Sequence, residues 1–222
     1  MILKAEKVTR QYIRQSRNRN ILMAVKETDF TLKGGQLIEI TGRSGSGKST
    51  FLNMLAGLLT PSSGRVLVDD TDIYAMGDKE RSRFRNMNIG VIPQGQTGLQ
   101  SLTVLENVLI PCRMYGDEGK EEYAQKLLDY IGIGELKNAY PNELSGGELR
   151  RMSIARALIQ NPKILFADEP TGDLDDENTN RVLRLLRKIA DDGCAVLLVT
   201  HEREAAEYVD RVYRIKDGVL TM

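Results

Sequence analysis

The sequence has no tryptophan, one histidine, two cysteines and no excess charge of either sign. Cys112 and Cys194 are isolated and form no CxxC pair. They exclude a disulfide scaffold and a four-cysteine metal site, and read as buried thiols of a reducing compartment. The single histidine, His201, precedes Glu202 but lacks the second histidine of HExxH, which removes a zinc-protease reading. The 31 basic residues equal the 31 acidic ones, so no global field draws the chain to nucleic acid or an anionic membrane, and no nucleic-acid partner is expected. No run reaches the ~20 apolar residues of a bilayer-crossing helix, and the start MILKAEKVTR lacks the apolar stretch of a signal peptide. A cytoplasmic protein is expected, with any membrane role arriving through a partner. What is present is a 41% hydrophobic content over 222 residues, enough for one core, with or without an inserted subdomain.

The first third reads as short strands around Ile2 to Val8 and after the polar stretch QSRNRN, leading to the turn LKGGQ at 32–36. LIEIT at 37–41, a Gly/Ser-rich stretch and FLNMLAGLL then give strand, loop, helix, with the loop at the carboxyl end of the strand, where open α/β sheets bind ligands. PSSG at 61–64 reads as a turn before a strand at VLVDD. The middle is helical. In LTVLENVLIP, Thr103 and Glu106 form a capping box, and Leu102, Leu105, Val108 and Leu109 recur at helical spacing until Pro111 ends the run. Ala124, Leu127, Leu128 and Ile131 mark a second helix, bounded by Gly132 and Gly134. A third begins near Ser145 and carries Met152, Ala155 and Leu158. The α/β pattern returns in KILFADEP at 163–170, a helix around 177–190, AVLLVTH at 195–201 and a closing hairpin around Asp217 and Gly218.

GRSGSGKST at 42–50 is a full match to the phosphate-binding loop pattern. Gly42, Arg43, Ser44, Gly45, Ser46, Gly47 and Thr50 form its backbone cradle; Lys48 can reach between the β and γ phosphates, and Ser49 can ligate Mg2+. Asp168 ends the hydrophobic strand ILFAD, where its carboxylate can hold a Mg2+ shell. Glu169 follows it. Adjacent residues leaving a strand point in different directions, so Glu169 can face the attacking water.

Between these motifs lies LSGGE at 144–148. Ser145 suits an N-cap, Glu148 stands three residues later, and Gly146 and Gly147 leave the positive end of the helix open to an anion. With this segment in place, and LRRMSIARAL after it, the chain resembles the ATP-binding cassette ATPases, the nucleotide-binding subunits of ABC transporters. The resemblance implies an α/β P-loop NTPase core, near 1–96 and 156–222, with an N-terminal antiparallel β subdomain and an inserted α-helical subdomain near 97–155. It implies ATP and Mg2+ as ligands and a head-to-tail dimer, in which Ser145, Gly146, Gly147 and Glu148 reach the γ-phosphate held by the partner's GRSGSGKST. Each site would be composite, and an isolated monomer should hydrolyse ATP poorly.

Further positions follow from the same resemblance. Gln94, in VIPQ, looks like the glutamine that touches Mg2+ or water and reports nucleotide state to membrane subunits. His201 resembles the histidine that contacts the γ-phosphate. Asp173 and Asp175, in TGDLD, resemble the loop that contacts the opposite protomer, and Tyr12 looks like the aromatic that stacks on adenine. TVLENVLIP and FADEPTGDLD are most similar to the group serving lipoprotein release, macrolide and antimicrobial-peptide export, and the cell-division ABC complex. Two departures stand out. Arg43 replaces a frequent proline, and the signature continues as ELRRMS where a glutamine-rich continuation is common. The family reading requires integral membrane permease subunits and a location on the inner face of the cell membrane through them. Two other readings remain: a soluble ABC ATPase motor acting on a non-transport partner, and a nucleotide-binding structural regulator with little turnover.

Overall fold

A computed structural model gives the architecture, and it describes residues 1–14, 20–95, 98–172 and 174–222. Asp173 lies outside the described residues. Strands β1 (Ile2–Arg14), β2 (Asn20–Lys33), β3 (Leu37–Thr41), β4 (Ser63–Val68) and β5 (Thr71–Asp72) build the first third around helix α1 (Lys48–Leu55). Helix α2 (Asp78–Asn88) and strand β6 (Ile89–Ile92) lead to three helices, α3 (Val104–Arg113), α4 (Glu121–Ile131) and α5 (Gly146–Leu158). The chain then returns through β7 (Ile164–Asp168), α6 (Asp176–Asp191), β8 (Ala195–Val199), β9 (Arg211–Lys216) and β10 (Val219–Thr221).

Two sheets result. An antiparallel sheet in the order β2-β1-β4-β5 flanks a six-stranded sheet in the order β10-β9-β3-β8-β7-β6. In the second sheet β9, β3, β8, β7 and β6 pair in parallel, with β10 closing antiparallel on β9. The central strands β7 and β8 are buried at every residue, as near-continuous apolar strands covered on both faces must be. Alternation divides their side chains between two cores. Ile38, Ile40, Phe166 and Leu197 pack with α1 and the antiparallel sheet, while Leu37, Leu165, Val196 and Leu198 face a cluster shared with α3 to α6.

Three helices after α2 are fixed at their amino ends by side chains. Thr103 and Glu106 form a reciprocal capping box on α3, Ser145 and Glu148 form another on α5, and Asp175 caps α6 through the amide of Asn178 at 2.8 Å. Gly132 ends α4 in the left-handed conformation (φ 81). Three readings need correction. Pro111 does not end its helix: α3 runs to Arg113, because proline in the last turn removes one donor while the Met114 amide still reaches the carbonyl of Ile110 at 3.0 Å. The expected turn at 61–64 overlaps β4, which starts at Ser63. Helix α2 has no counterpart in the periodicity, since none of its residues is buried. Cys112 is buried and Cys194 half-buried, and both are free thiols. Among the described residues no helix is long and apolar enough to cross a membrane.

Candidate functional site

A cleft of about 990 Å3 opens at the carboxyl ends of the parallel strands. The GRSGSGKST loop joins β3 to α1 along its floor, and the loop's glycines are needed where neighbours press on it. At Gly47 the backbone is left-handed (φ 108), and a Cβ would stand 2.2 Å from the carbonyl oxygen of Ala24. At Gly42 a Cβ would meet the Ile215 carbonyl at 2.4 Å. The loop is braced from the closing hairpin, where the Gly218 amide donates to the Ser46 carbonyl at 3.2 Å. Because α1 begins at Lys48, the loop amides and the first-turn amides of this helix present the positive end of its dipole to the cleft.

Lys48 is buried, and its Nζ donates to the carbonyls of Gly42 at 2.8 Å and Arg43 at 3.3 Å. The ammonium thus rests on its own loop, a short rotation from any phosphate seated there. Asp168, at the end of β7, is 7% exposed and its Oδ1 has no hydrogen-bond partner. Burial raises its carboxyl above the ordinary range, opposed by a hydrogen bond from Ser49 and the charge of Lys48. An orphaned buried carboxylate oxygen beside a serine hydroxyl is a pair of hard oxygen donors, the chemistry that suits Mg2+. These residues fit the ion.

Glu169 leaves the strand with a left-handed backbone (φ 49), and its amide donates to the Val199 carbonyl at 2.8 Å. Its carboxylate reaches the segment that follows β8. There Oε2 lies 2.8 Å from Nδ1 of His201. Thr200, fully buried beside it, accepts the Glu202 amide at 3.1 Å and anchors the segment that carries the imidazole.

Tyr12 and Gln94 line the same cleft. Tyr12 pairs with Leu22 across the β1/β2 ladder, and the Arg10 guanidinium sits 4.8 Å from its ring centroid. Gln94 is exposed just beyond β6. One cleft therefore gathers Tyr12, residues 42–50, Gln94, Glu169 and His201. Asp168 lies beneath it, buried. Ser145, Gly146, Gly147 and Glu148 are absent from its lining. The start of α5 instead packs near α6, where a Cβ on Gly147 would stand 3.0 Å from the Asn178 side chain. Ser145 Oγ donates to Glu148 Oε2 at 2.7 Å, and that bond lowers the Glu148 carboxyl below its ordinary range. Asp175, expected to face an opposite protomer, serves within this chain as the N-cap of α6.

Residues that the motifs did not single out complete the walls. Met23 and Ala24 of β2 approach across the cleft, Asp217 and Gly218 come from the closing hairpin, and Arg150 of α5 enters beside Gln94. The hairpin was legible as a turn. Its contact with the loop had no local signal, and neither did the position of Arg150.

Known proteins share this sequence pattern and fold. Residues 25–172 match a family profile described as ABC transporter. The chain is 40% identical over 200 residues to the lipoprotein-releasing system ATP-binding protein LolD of Bdellovibrio bacteriovorus, covering 89% of this chain and 91% of that one. It is 37% identical over 201 residues to the macrolide export ATP-binding/permease protein MacB of a Shewanella species, covering 90% of this chain and 31% of that longer one. In structure it is similar to the dimeric, post-hydrolysis ATP-binding cassette MJ0796 bound to ADP and Pi, with a TM-score of 0.85, 33% identity, and 97% and 95% of the two chains covered.

Proposed function

Since the chain belongs to the ABC transporter family of ATP-binding cassettes, we propose that it is the ATPase subunit of a membrane transporter that exports or extracts a lipoprotein, peptide or drug-like substrate. The fold is the family's α/β P-loop NTPase core with an N-terminal β subdomain and an inserted helical subdomain. The enzyme converts ATP and water to ADP and phosphate. One observation carries the assignment of roles: the cleft gathers a phosphate cradle and a carboxylate paired to an imidazole, over a buried aspartate with an unpartnered oxygen.

In this reading the loop amides and Lys48 bind the phosphates, with Lys48 exchanging two backbone carbonyls for phosphate oxygens. Ser49 and Asp168 would hold Mg2+, with the neutral amide oxygen of Gln94 as a further hard donor. When bound, the ion would supply positive charge that offsets the negative charge building on the phosphates during transfer. Glu169 accepts hydrogen from the attacking water and aligns it with the γ-phosphate. His201, donating from Nδ1 to Glu169, fixes that carboxylate and presents its other ring edge to the phosphate. Tyr12 offers a ring face to adenine, and Arg43 adds a positive charge at the rim.

The start of α5 lies outside its own cleft, which supports a composite site completed by a partner copy. In a head-to-tail dimer, Ser145, Gly146, Gly147 and Glu148 would close on the partner's γ-phosphate. A surface for the permease is supported by a groove of about 230 Å3 beside β6, where Leu58, Met114 and Tyr115 are exposed. This groove adjoins β6, which ends two residues before Gln94, so movement at the nucleotide can reach it. Attachment to that permease would hold the ATPase at the inner face of the membrane.

Mg2+-dependent ATPase assays on the purified chain, alone and with the membrane partner recovered by affinity purification in mild detergent, test this reading. Turnover should rise steeply with protein concentration and further with a stoichiometric permease. Recovery of a soluble partner alone would remove the transport role while leaving the chemistry.

A further inference from the structure

We propose that Arg150 is a positioning residue that ties the signature helix α5 to Gln94, so that a partner's nucleotide held at Ser145 influences the geometry of this protomer's own site. The inference rests on the ATPase reading above and assigns a role to part of the ELRRMS departure. Arg150 is 6% exposed. Its Nη1 donates to two backbone carbonyls, Pro93 at 3.1 Å and Gly95 at 3.3 Å. These carbonyls stand on either side of Gln94.

The physical argument starts from burial. A guanidinium withdrawn from water must keep acceptors, because an uncompensated buried charge is strongly destabilising. Here backbone oxygens supply them, at the point where β6 has ended and Pro93, lacking an N–H, cannot donate to the ladder. Gly95 takes a left-handed backbone (φ 84), which folds the segment so that both carbonyls meet one nitrogen. Holding the carbonyls of Pro93 and Gly95 pins the chain on both sides of Gln94 and narrows the backbone torsions between them. The planar guanidinium makes this a directional clamp, for which lysine is a poor substitute.

The helix supplies the other half. Ser145 caps α5 and Arg150 lies within the same rigid rod, so a shift of the helix start carries the clamp with it. Closure of a partner's phosphate on Ser145 would move the backbone around Gln94 by a comparable amount, through a contiguous chain of backbone and hydrogen bonds.

The test is a double-mutant cycle with Arg150→Met, Arg150→Lys and Gln94→Ala. Arg150→Met should lower kcat on the order of 10-fold, with the KM for ATP changed by less than about 2-fold, because the loss is of alignment and not of phosphate binding. In the Gln94→Ala background the same change should cost less than about 2-fold. Amide hydrogen exchange of Gln94 and Gly95 in the nucleotide-free protein should speed up on the order of 10-fold in Arg150→Met, with Arg150→Lys intermediate. Additive effects on kcat, or unchanged exchange at Gln94 and Gly95, would overturn the proposal. If Arg150→Met loses cooperative melting, the Arg150→Lys arm of both measurements decides. A wild-type protein without turnover would instead refute the ATPase reading, while the exchange experiment would still judge the clamp.

Discussion

Nδ1 of His201 lies 2.8 Å from Oε2 of Glu169, with the imidazole largely exposed and the carboxylate nearly buried. The pair is assembled from the ends of two adjacent parallel strands. Glu169 leaves β7 on a left-handed backbone and engages His201, while Asp168 keeps an unpartnered oxygen for a cation. Two neighbouring acids in sequence thereby receive different tasks.

Substituting Glu169→Gln should leave ATP binding near wild type, since the phosphate cradle is untouched, and lower kcat on the order of 10^2- to 10^3-fold. The variant should also accumulate as a closed dimer with ATP, read by light scattering. Hydrolysis equal to that of the wild type would reject Glu169 as the group that activates water. His201→Ala should lower kcat while leaving nucleotide affinity within a few-fold.

A second expectation concerns pH. Glu39, in the middle of β3, is 2% exposed, and burial pushes its carboxyl from 4.5 up to about 7. Above pH 4.5 the unfolded chain releases this proton freely while the folded chain retains it until about 7. The folded state therefore binds more protons in that window, and stability falls as pH rises through it. At about 1.4 kcal/mol per pH unit the loss is on the order of 3 kcal/mol, complete above pH 7. Denaturant titrations should show this decline, and Glu39→Gln should flatten it, giving a stabler protein at pH 8 and little change at pH 4.5. A Glu39→Gln profile parallel to wild type would assign the decline elsewhere.

The phosphate loop yields a steric prediction. Gly47→Ala would place a Cβ 2.2 Å from the Ala24 carbonyl on a left-handed backbone, so β2 and the loop must separate. A stability loss on the order of 1 to 3 kcal/mol is expected, together with loss of nucleotide binding by calorimetry. Gly45→Ala has open space around its Cβ and should cost less of both. Equal effects would show that φ alone, and not the approach of β2, sets the requirement for glycine.

How much of this was legible in advance depends on whether the signal is local. The phosphate loop, the buried strands β7 and β8 and the capping boxes at Thr103 and Ser145 are written in consecutive residues, and they could be read without knowing what packs on them. Helix α2 could not, because DKERSRFRNMN buries none of its residues and so has no apolar stripe to reveal its period. Pro111 misled because proline weakens a helix by removing a donor, and the last turn has little left to lose. Arg150 and Gly218 act across long stretches of chain, on Pro93 and Ser46, and no sequence spacing encodes such contacts. For Asp175 the structure adds a role within the chain, as the cap of α6, to the one suggested by resemblance.

The two capping boxes allow the structural and functional parts of a motif to be separated. Thr103 with Glu106 and Ser145 with Glu148 have the same reciprocal hydrogen bonds, with the hydroxyl accepting the N3 amide at 3.3 Å and 3.4 Å respectively. Removing either hydroxyl should therefore cost about 1 kcal/mol of stability, the ordinary value of an N-cap. Their surroundings differ. Thr103 begins a helix packed inside the protomer, whereas Ser145 opens onto the face assigned to a partner's phosphate. Thr103→Ala should keep ATPase activity within about 2-fold once the small stability loss is allowed for, and Ser145→Ala should lower it by more than about 10-fold at the same loss of stability. Thermal melts and steady-state turnover on the two variants make the comparison directly. If both lose activity in proportion to stability, Ser145 is a helix cap and nothing more, and the composite site must be built from other residues.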